Sequence, residues 1–365
     1  MRPIDYAKEA CDMMMRKFMP QQLPPVGKFY YHQGVFLSGM ENTFALTGEE
    51  KYFQYMKDWV DAVLGEDGIP LMPQPGELDD IMAGVLLFPL LERTGDARYE
   101  KGLEYLRSHL LKIPRTSEGA PWHKTKLPYQ MWLDGLYMIG TFCGKYAQKA
   151  DDSVLYDLMV RHIQVMVKHT KDENTGLYYH GWDESGEAEW CDPKTGCSPE
   201  FWGRSVGWAA YGLVNDQDYL KEDSSEYKEV YQYMKDTLTA VMKYQSEEGR
   251  WYQVLDKGDQ KENWLENSCS CLFVAAICKA IQKGYVDKSF MSAARCGYEA
   301  VIKSLTWEGV DLQIGHVCVG TNIGDYAHYC ARPVHANDLH GVGTFLLMCT
   351  EMERLIRMEE AGLLK

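Results

Sequence analysis

One pattern recurs six times along the chain. A polar or glycine-rich turn leads into a helix apolar on nearly every side, and a charged amphipathic helix accompanies it. Internal repetition of this kind constrains architecture before any single residue does. The apolar segments begin near Gly34 (GVFLSGMENTFALTG), Asp79 (DDIMAGVLLFPLLERTG), Leu133 (LDGLYMIGTFCGKYAQ), Arg204 (RSVGWAAYGLVND), Glu266 (ENSCSCLFVAAICKAIQKG) and Leu339 (LHGVGTFLLMCTEMERLI). Amphipathic partners follow at 49–64, 97–112, 154–170, 225–245 and 288–304, and the N-terminal segment 4–18 is left to serve the last. A helix apolar all round is buried, whereas one with a single apolar stripe lies at the surface. The pattern predicts an all-α fold, an (α/α)6 barrel of six inner and six outer helices. It also predicts a single domain over residues 1–365, where length alone suggests two or three. The ring closes only if the N-terminal helix packs on the last apolar one.

Charge and cysteine usage narrow the function classes. The net charge is −15 and no stretch concentrates Lys and Arg. Phosphate backbones need a basic footprint, so nucleic acid is not expected as a partner. The 11 cysteines are odd in number and irregular in spacing, which does not read as a disulfide framework. No paired Cys-x-x-Cys or Cys/His cluster suggests zinc, and neither metal nor cofactor is expected. Residues 1–19 mix Asp5, Lys8, Glu9 and Asp12 with apolar positions, as an amphipathic helix does and a signal peptide does not. No apolar run is long enough to span a membrane. Together these features predict a cytoplasmic protein without a membrane partner, a monomer or weak homodimer. The 24 Tyr and 10 Trp suit a large helical core, and equally suit stacking on the C–H faces of sugar rings.

In such a barrel the starts of the inner helices open on one end. The residues there are Tyr31 and His32, Asp79 and Asp80, Trp132 and Asp134, Arg204 and Trp208, Glu266 and Asn267, and Asp338 and His340. Asp and Asn are common at helix starts because they accept backbone N–H bonds. Capping does not account for Trp, His and Arg at the equivalent places, and a convergent site does. Asp134 is flanked by Trp132, Leu133, Leu136 and Tyr137, surroundings that raise a carboxyl pKa and favour a general acid. Asp79 or Asp80 offers a second carboxylate, and two carboxyls across a sugar-sized pocket are the equipment of glycoside hydrolysis. Two long loops, 176–202 and 312–337, are of the length that usually carries function. His180, in the first, reads equally as a site residue or a satisfied structural histidine. Arg204 lies between Trp202 and Trp208, where it could hold a carboxylate or form a cation–π pair.

The segment Pro128-Tyr129-Gln130-Met131-Trp132-Leu133-Asp134-Gly135-Leu136-Tyr137-Met138 resembles a signature of glycoside hydrolase family 105, the unsaturated rhamnogalacturonyl hydrolases. Leu78-Asp79-Asp80-Ile81 with Gly84, and Thr195-Gly196-Cys197-Ser198-Pro199-Glu200-Phe201-Trp202-Gly203-Arg204 with Gly207-Trp208, resemble further family segments. So do Glu266-Asn267-Ser268 and Asn337-Asp338-Leu339-His340-Gly341-Val342-Gly343, and the order holds over almost the whole chain. The related family 88 glucuronyl hydrolases share the fold and parts of the chemistry. The resemblance implies a metal-independent enzyme of pectin degradation. Its partner would be an oligosaccharide ending in an unsaturated 4-deoxy-hex-4-enuronic acid, left by a polysaccharide lyase and cleaved by enol-ether hydration. It implies Asp134 as general acid and Asp79 as second carboxylate. It further implies that His180, Arg204 and Trp208 hold the uronate, and that Trp132, Trp202, His123 and Lys124 line the pocket, with Tyr31 and His340 nearby. The competing readings are a family 88-like hydrolase on other lyase products, a sugar epimerase or isomerase using histidines on the same barrel, and a non-catalytic carbohydrate-binding barrel.

Overall fold

A computed structural model describes residues 1–71 and 76–364. The elements alternate inner and outer around a ring. Helices α1 (Pro3–Lys17), α2 (Tyr31–Thr47) and α3 (Glu50–Val63) are followed by a broken inner segment, α4 (Asp79–Met82), a 3₁₀ turn (Ala83–Leu86) and α5 (Leu87–Thr94). Then come α6 (Ala97–Lys112), α7 (Gly135–Ala150), α8 (Ser153–Thr170), α9 (Gly203–Asp216), α10 (Ser225–Lys243), α11 (Asn267–Gln282) and α12 (Met291–Lys303). A short α13 (Tyr326–Cys330) precedes the long α14 (Leu339–Glu360).

The inner helices touch in the cyclic order α2, α4, α7, α9, α11, α14 and back to α2, and each carries an outer neighbour. The six predicted pairs are therefore the observed ones, including α1 against α14. Arg2, capping α1, reaches that partner directly: its Nη1 donates to Glu360 Oε1 at 2.9 Å and its Nε to Glu353 Oε1 at 3.2 Å. The inner helices α9 and α11 are buried at nearly every position, whereas α3 and α10 bury one face. One hydrophobic cluster takes in side chains from all twelve principal helices.

The repeat has a physical signature at its turns. α2 and α5 both end in Thr-Gly. Thr47 and Thr94 donate to the carbonyls four residues back, at 2.8 and 2.7 Å, and their oxygens then accept the amides of Glu49 and Asp96. Gly48 and Gly95 follow with φ of 69° each, a left-handed conformation that a residue without Cβ adopts freely. The chain is thereby reversed into the next outer helix. The broken second inner segment has a different cause. Pro89 lacks an amide hydrogen and cannot sit inside a continuous helix, and it falls in the first turn of α5, where that hydrogen has no intrahelical acceptor.

Short antiparallel ladders join the loops at one end of the barrel: β1 (Gln130–Trp132) with β2 (Gly181–Asp183), β3 (Trp251–Tyr252) with β4 (Leu265–Glu266), β5 (Thr306–Glu308) with β6 (Asp311–Gln313), and β7 (Val317–Cys318) with β8 (Val334–His335). These pairings were not expected from the sequence. Two- and three-residue strands leave no readable alternation.

Candidate active site

A cavity of about 520 Å³ lies at the end of the barrel where the inner helices start. Asp79 is the first residue of α4 and Asp134 immediately precedes α7, and both face the cavity. Tyr31, His123, Lys124 and Trp132 also line it, as do Trp202, Arg204 and Trp208. Of the expected site residues, His180 and His340 are fully buried behind this wall rather than in it.

Asp134 is placed by backbone pairing. The β1/β2 ladder sets Trp132 opposite Gly181, and the Leu133 amide donates to the His180 carbonyl at 2.8 Å. This register brings His180 Nε2 to 3.0 Å from Asp134 Oδ2. The other ring nitrogen, Nδ1, is 2.7 Å from the Tyr329 hydroxyl, which itself accepts the Gly324 amide at 3.1 Å. With that amide on its lone pair, the tyrosine can donate its own proton to Nδ1. The imidazole proton is then left on Nε2, facing Asp134. Burial holds the His180 pKa below its usual value although Asp134 pulls it upward, so the ring is neutral near pH 7. The apolar flank read around Asp134 is thus only part of its surroundings; a buried imidazole forms the other part.

Asp79 is in the opposite situation. Its Oδ1 is 3.2 Å from His123 Nε2 and its Oδ2 is 3.5 Å from Lys124 Nζ. Burial alone would push this carboxyl up, but His123 and Lys124 outweigh it and hold Asp79 well below the ordinary carboxylate range. Lys124 also donates to Glu77 Oε2 at 3.0 Å, and its ammonium lies 4.9 Å from the Trp132 ring centre. The His123 ring stacks on Trp132 with centroids 4.7 Å apart. Asp79 is therefore a fixed anion beneath an aromatic platform.

Asp80 does not share the site. It is fully buried, and neither of its oxygens has a hydrogen-bond partner. Burial, with Asp79 and Glu77 adding to it, raises its pKa from 3.8 to about 8. Between those values the folded protein keeps a proton that the unfolded chain has released. Stability therefore falls as pH rises through this window. Asp80→Asn is expected to remove that slope and to raise the denaturation midpoint at pH 8 relative to wild type. Parallel stability–pH curves for the two proteins would refute this account of Asp80.

Arg204 is buried against Trp202, with its guanidinium carbon 4.5 Å from the ring centre. Its Nη1 donates to the Cys318 carbonyl at 2.5 Å and its Nη2 to the Val319 carbonyl at 2.8 Å. Nη1 also donates to Ser268 Oγ at 3.4 Å, and the guanidinium thus holds β7 against the start of α9 at the cavity wall. Glu266 accepts the Cys318 amide at 3.0 Å and the Cys269 amide at 2.6 Å, fixing the same strand to α11. Trp202 stacks on Tyr329 at 5.6 Å, and Trp208 stacks on Tyr137 at 4.6 Å.

His340 Nδ1 is 2.7 Å from Asp338 Oδ1, and its Nε2 lies 3.0 Å from the Cys318 carbonyl, to which it can only donate. Burial raises Asp338, but His340 outweighs that and keeps it well below the ordinary range. His32 faces the same carboxylate at 3.8 Å, and burial next to His340 lowers its pKa to about 3. His32, Asp338 and His340 are the one group of three potential metal-binding side chains found together among the described residues.

The cavity also takes residues that sequence reasoning did not single out. Segment 319–335 supplies Asn322, His328, Arg332 and His335 to its wall. Arg332 Nη2 donates to the Gly320 carbonyl at 2.5 Å, while its Nε is buried without a partner. The usable signal was the length of the 312–337 loop, which marked the segment but no residue in it.

Carboxylates and stacked aromatic rings at the open end of a helical six-barrel are the construction of a glycoside hydrolase. The chain belongs to glycosyl hydrolase family 88, whose family model matches residues 6–356. It is 29% identical over 264 residues to the unsaturated rhamnogalacturonyl hydrolase YesR of Bacillus subtilis, covering 70% of this chain and 72% of that protein. Its fold is similar to that of a family 105 glycoside hydrolase from C. acetobutylicum, with a TM-score of 0.90 and 30% identity over 96% of this chain and 99% of the other. An unsaturated glucuronyl hydrolase from Bacillus sp. GL1 shares the fold at a TM-score of 0.73 and 15% identity, over 99% and 97% of the two chains. The family 105 resemblance and the helical barrel expected from the repeat are both borne out. No helix among the described residues is long and apolar enough to cross a membrane.

Proposed function

We propose that the protein removes the terminal 4-deoxy-hex-4-enuronic acid from lyase-generated rhamnogalacturonan oligosaccharides by hydrating its enol ether. The observation that carries this reading is the unequal surroundings of the two carboxyls. Asp79 is pinned as an anion by His123 and Lys124, whereas Asp134 faces a neutral imidazole. Asp79, fixed by two cationic side chains, takes the role of the anion, and Asp134, on the cavity wall beside an imidazole, is left as the proton donor.

Asp134 delivers its proton to C4 of the electron-rich double bond, and positive charge develops at C5. Water then adds at C5, giving its proton to the Asp134 carboxylate. The hemiketal so formed opens, and the bond to the leaving sugar breaks. His180, oriented by Tyr329, keeps Asp134 in position through both proton movements. Asp79 stabilises the developing cation and aligns water. Arg204 and Arg332 supply the positive field for the substrate carboxylate, and Trp132, Trp202 and Trp208 bound the sugar ring. The reading takes residues 1–365 as one folding unit, supported by the continuous core, and places it in the cytoplasm. Support for that placement is the 11 thiols, most of them buried.

The similarity to YesR favours rhamnose as the leaving sugar. Incubation with lyase-digested rhamnogalacturonan I and, separately, with unsaturated chondroitin disaccharides tests this. Loss of the enuronate absorbance on the first substrate alone is expected. Loss on chondroitin disaccharides alone would move the enzyme to the glucuronyl class. Epimerised sugar without loss of the double bond would overturn the hydrolytic reading.

A further inference from the structure

The inner helices enclose a second concavity, of about 210 Å³, on the far side of the layer formed by Tyr137 and Trp208. All six inner positions of the ring contribute to it, from turns beyond those that line the active site. Its wall carries two lysines and two glutamates with unequal partners. Lys279 lies 3.1 Å from Asp218 Oδ2 and donates to Asn215 Oδ1 at 2.5 Å. Glu351 accepts from Arg354 Nη1 at 2.7 Å. Lys145 and Glu41 form no ion pair within 4 Å among the described residues, although each charge acts on the other at longer range; the Lys145 ammonium lies 5.8 Å from the Phe88 ring centre. Burial lowers the Lys145 pKa and raises that of Glu41.

Two hydroxyls behave alike. Ser38 Oγ and Thr141 Oγ1 are buried on this wall without a hydrogen-bond partner. Helical hydroxyls ordinarily bond the carbonyl one turn back, as Thr43, Thr47 and Thr94 do here. Two hydroxyls are therefore left unsatisfied on the wall of one small cavity, beside a half-buried lysine and glutamate that form no close ion pair. Buried polar groups are normally paired, and each exception calls for a ligand, water or ion.

We propose that this far cavity is a second ligand site, for a single-ring sugar acid. The Lys145 ammonium, which Glu41 reaches only at long range, matches the ligand's one carboxylate. Glu41, Ser38 and Thr141 then take ring hydroxyls, and Tyr137 and Tyr211, with centroids 5.8 Å apart, offer flat apolar faces. The volume is below the ~300–1,000 Å³ typical of drug-sized pockets, which limits the occupant to one ring. Occupancy reaches the active site along α7. Lys145, Thr141 and Tyr137 lie on successive turns of the helix that Asp134 precedes, and Tyr137 stacks on Trp208 in the active-site wall.

Titration calorimetry with D-galacturonate and D-galactose on wild type and Lys145→Met tests the site without relying on turnover. Galacturonate is expected to bind wild type in two classes. Lys145→Met should weaken one of them on the order of tenfold or more, as loss of a charge-assisted bond does. Galactose, which lacks the carboxylate, should fail to fill that class in either protein. If Lys145→Met does not fold, Thr141→Val is expected to weaken the same class. One binding class unaffected by the substitution, no binding at all, or equal affinity for galactose would overturn the proposal.

Discussion

Asp134→Asn is expected to lower kcat on the order of 10²–10⁴-fold, the usual contribution of a positioned general acid, with the melting temperature unchanged. The substitution is nearly isosteric. An asparagine amide fits the same place beside His180 Nε2, which lies 3.0 Å from Asp134 Oδ2, and the backbone β1/β2 lead-in to α7 is preserved. What disappears is the acidic proton. Protonating carbon is the difficult step of enol-ether hydration, and the other carboxyls nearby cannot substitute: Asp79 and Asp338 are held as anions and Asp80 does not line the cavity. Turnover followed by the enuronate band, alongside thermal melting, checks the prediction. Full activity in the variant would remove Asp134 from the mechanism.

Gly343→Ala is expected to destabilise the fold by about 1–3 kcal/mol, the range for overpacking a well-packed interior. Alanine in place of glycine on an exposed helix would instead gain ~1 kcal/mol. Here a Cβ would lie 2.6 Å from the carbonyl carbon of Val35 and 2.7 Å from the amide nitrogen of Phe36. Those atoms are backbone of α2 and cannot turn aside. Gly39 on α2 faces α14 in the same manner, with a Cβ there 3.1 Å from the Gly343 carbonyl oxygen. The two helices meet backbone to backbone, and a methyl group would force them apart. A lower denaturant midpoint is the expected reading; a midpoint at or above wild type would show that the contact yields.

Most of the architecture was legible because burial differs so sharply between the two kinds of helix. α9 and α11 are apolar on all sides and lie inside the ring, and each outer helix shows its single stripe. The break in the second inner segment was also encoded, in Pro89, but an apolar run such as IMAGVLLFPLL reads as continuous helix unless that proline is weighed first. The site was legible in part. Residues at helix starts, such as Asp79, Asp134 and Arg204, were found because the repeat gives them equivalent places. His180, His123 and Lys124 were named as well, but not their pairings: His180 reaches Asp134 through a three-residue ladder, and Arg204 binds carbonyls more than a hundred residues downstream. Such contacts depend on loop register, and register over two or three residues has no periodic trace in a sequence.

The seam between α1 and α14 sets the order in which the molecule can be made. Ala7, Ala10, Cys11 and Met14 form the inward face of α1, and its inner partner is the last long helix of the chain. During synthesis from the N-terminus α2 can cover part of that face, as Cys11 beside Thr43 shows, but the side that packs on α14 waits until some three hundred and forty residues have followed it. The α2–α14 contact is equally late. Ring closure is thus a long-range step whose entropic cost is met before its contacts form, a circumstance that slows folding. Nascent chains stalled before Leu339 should carry an open, adhesive edge on both sides of the gap, and these are the species that chaperones would hold.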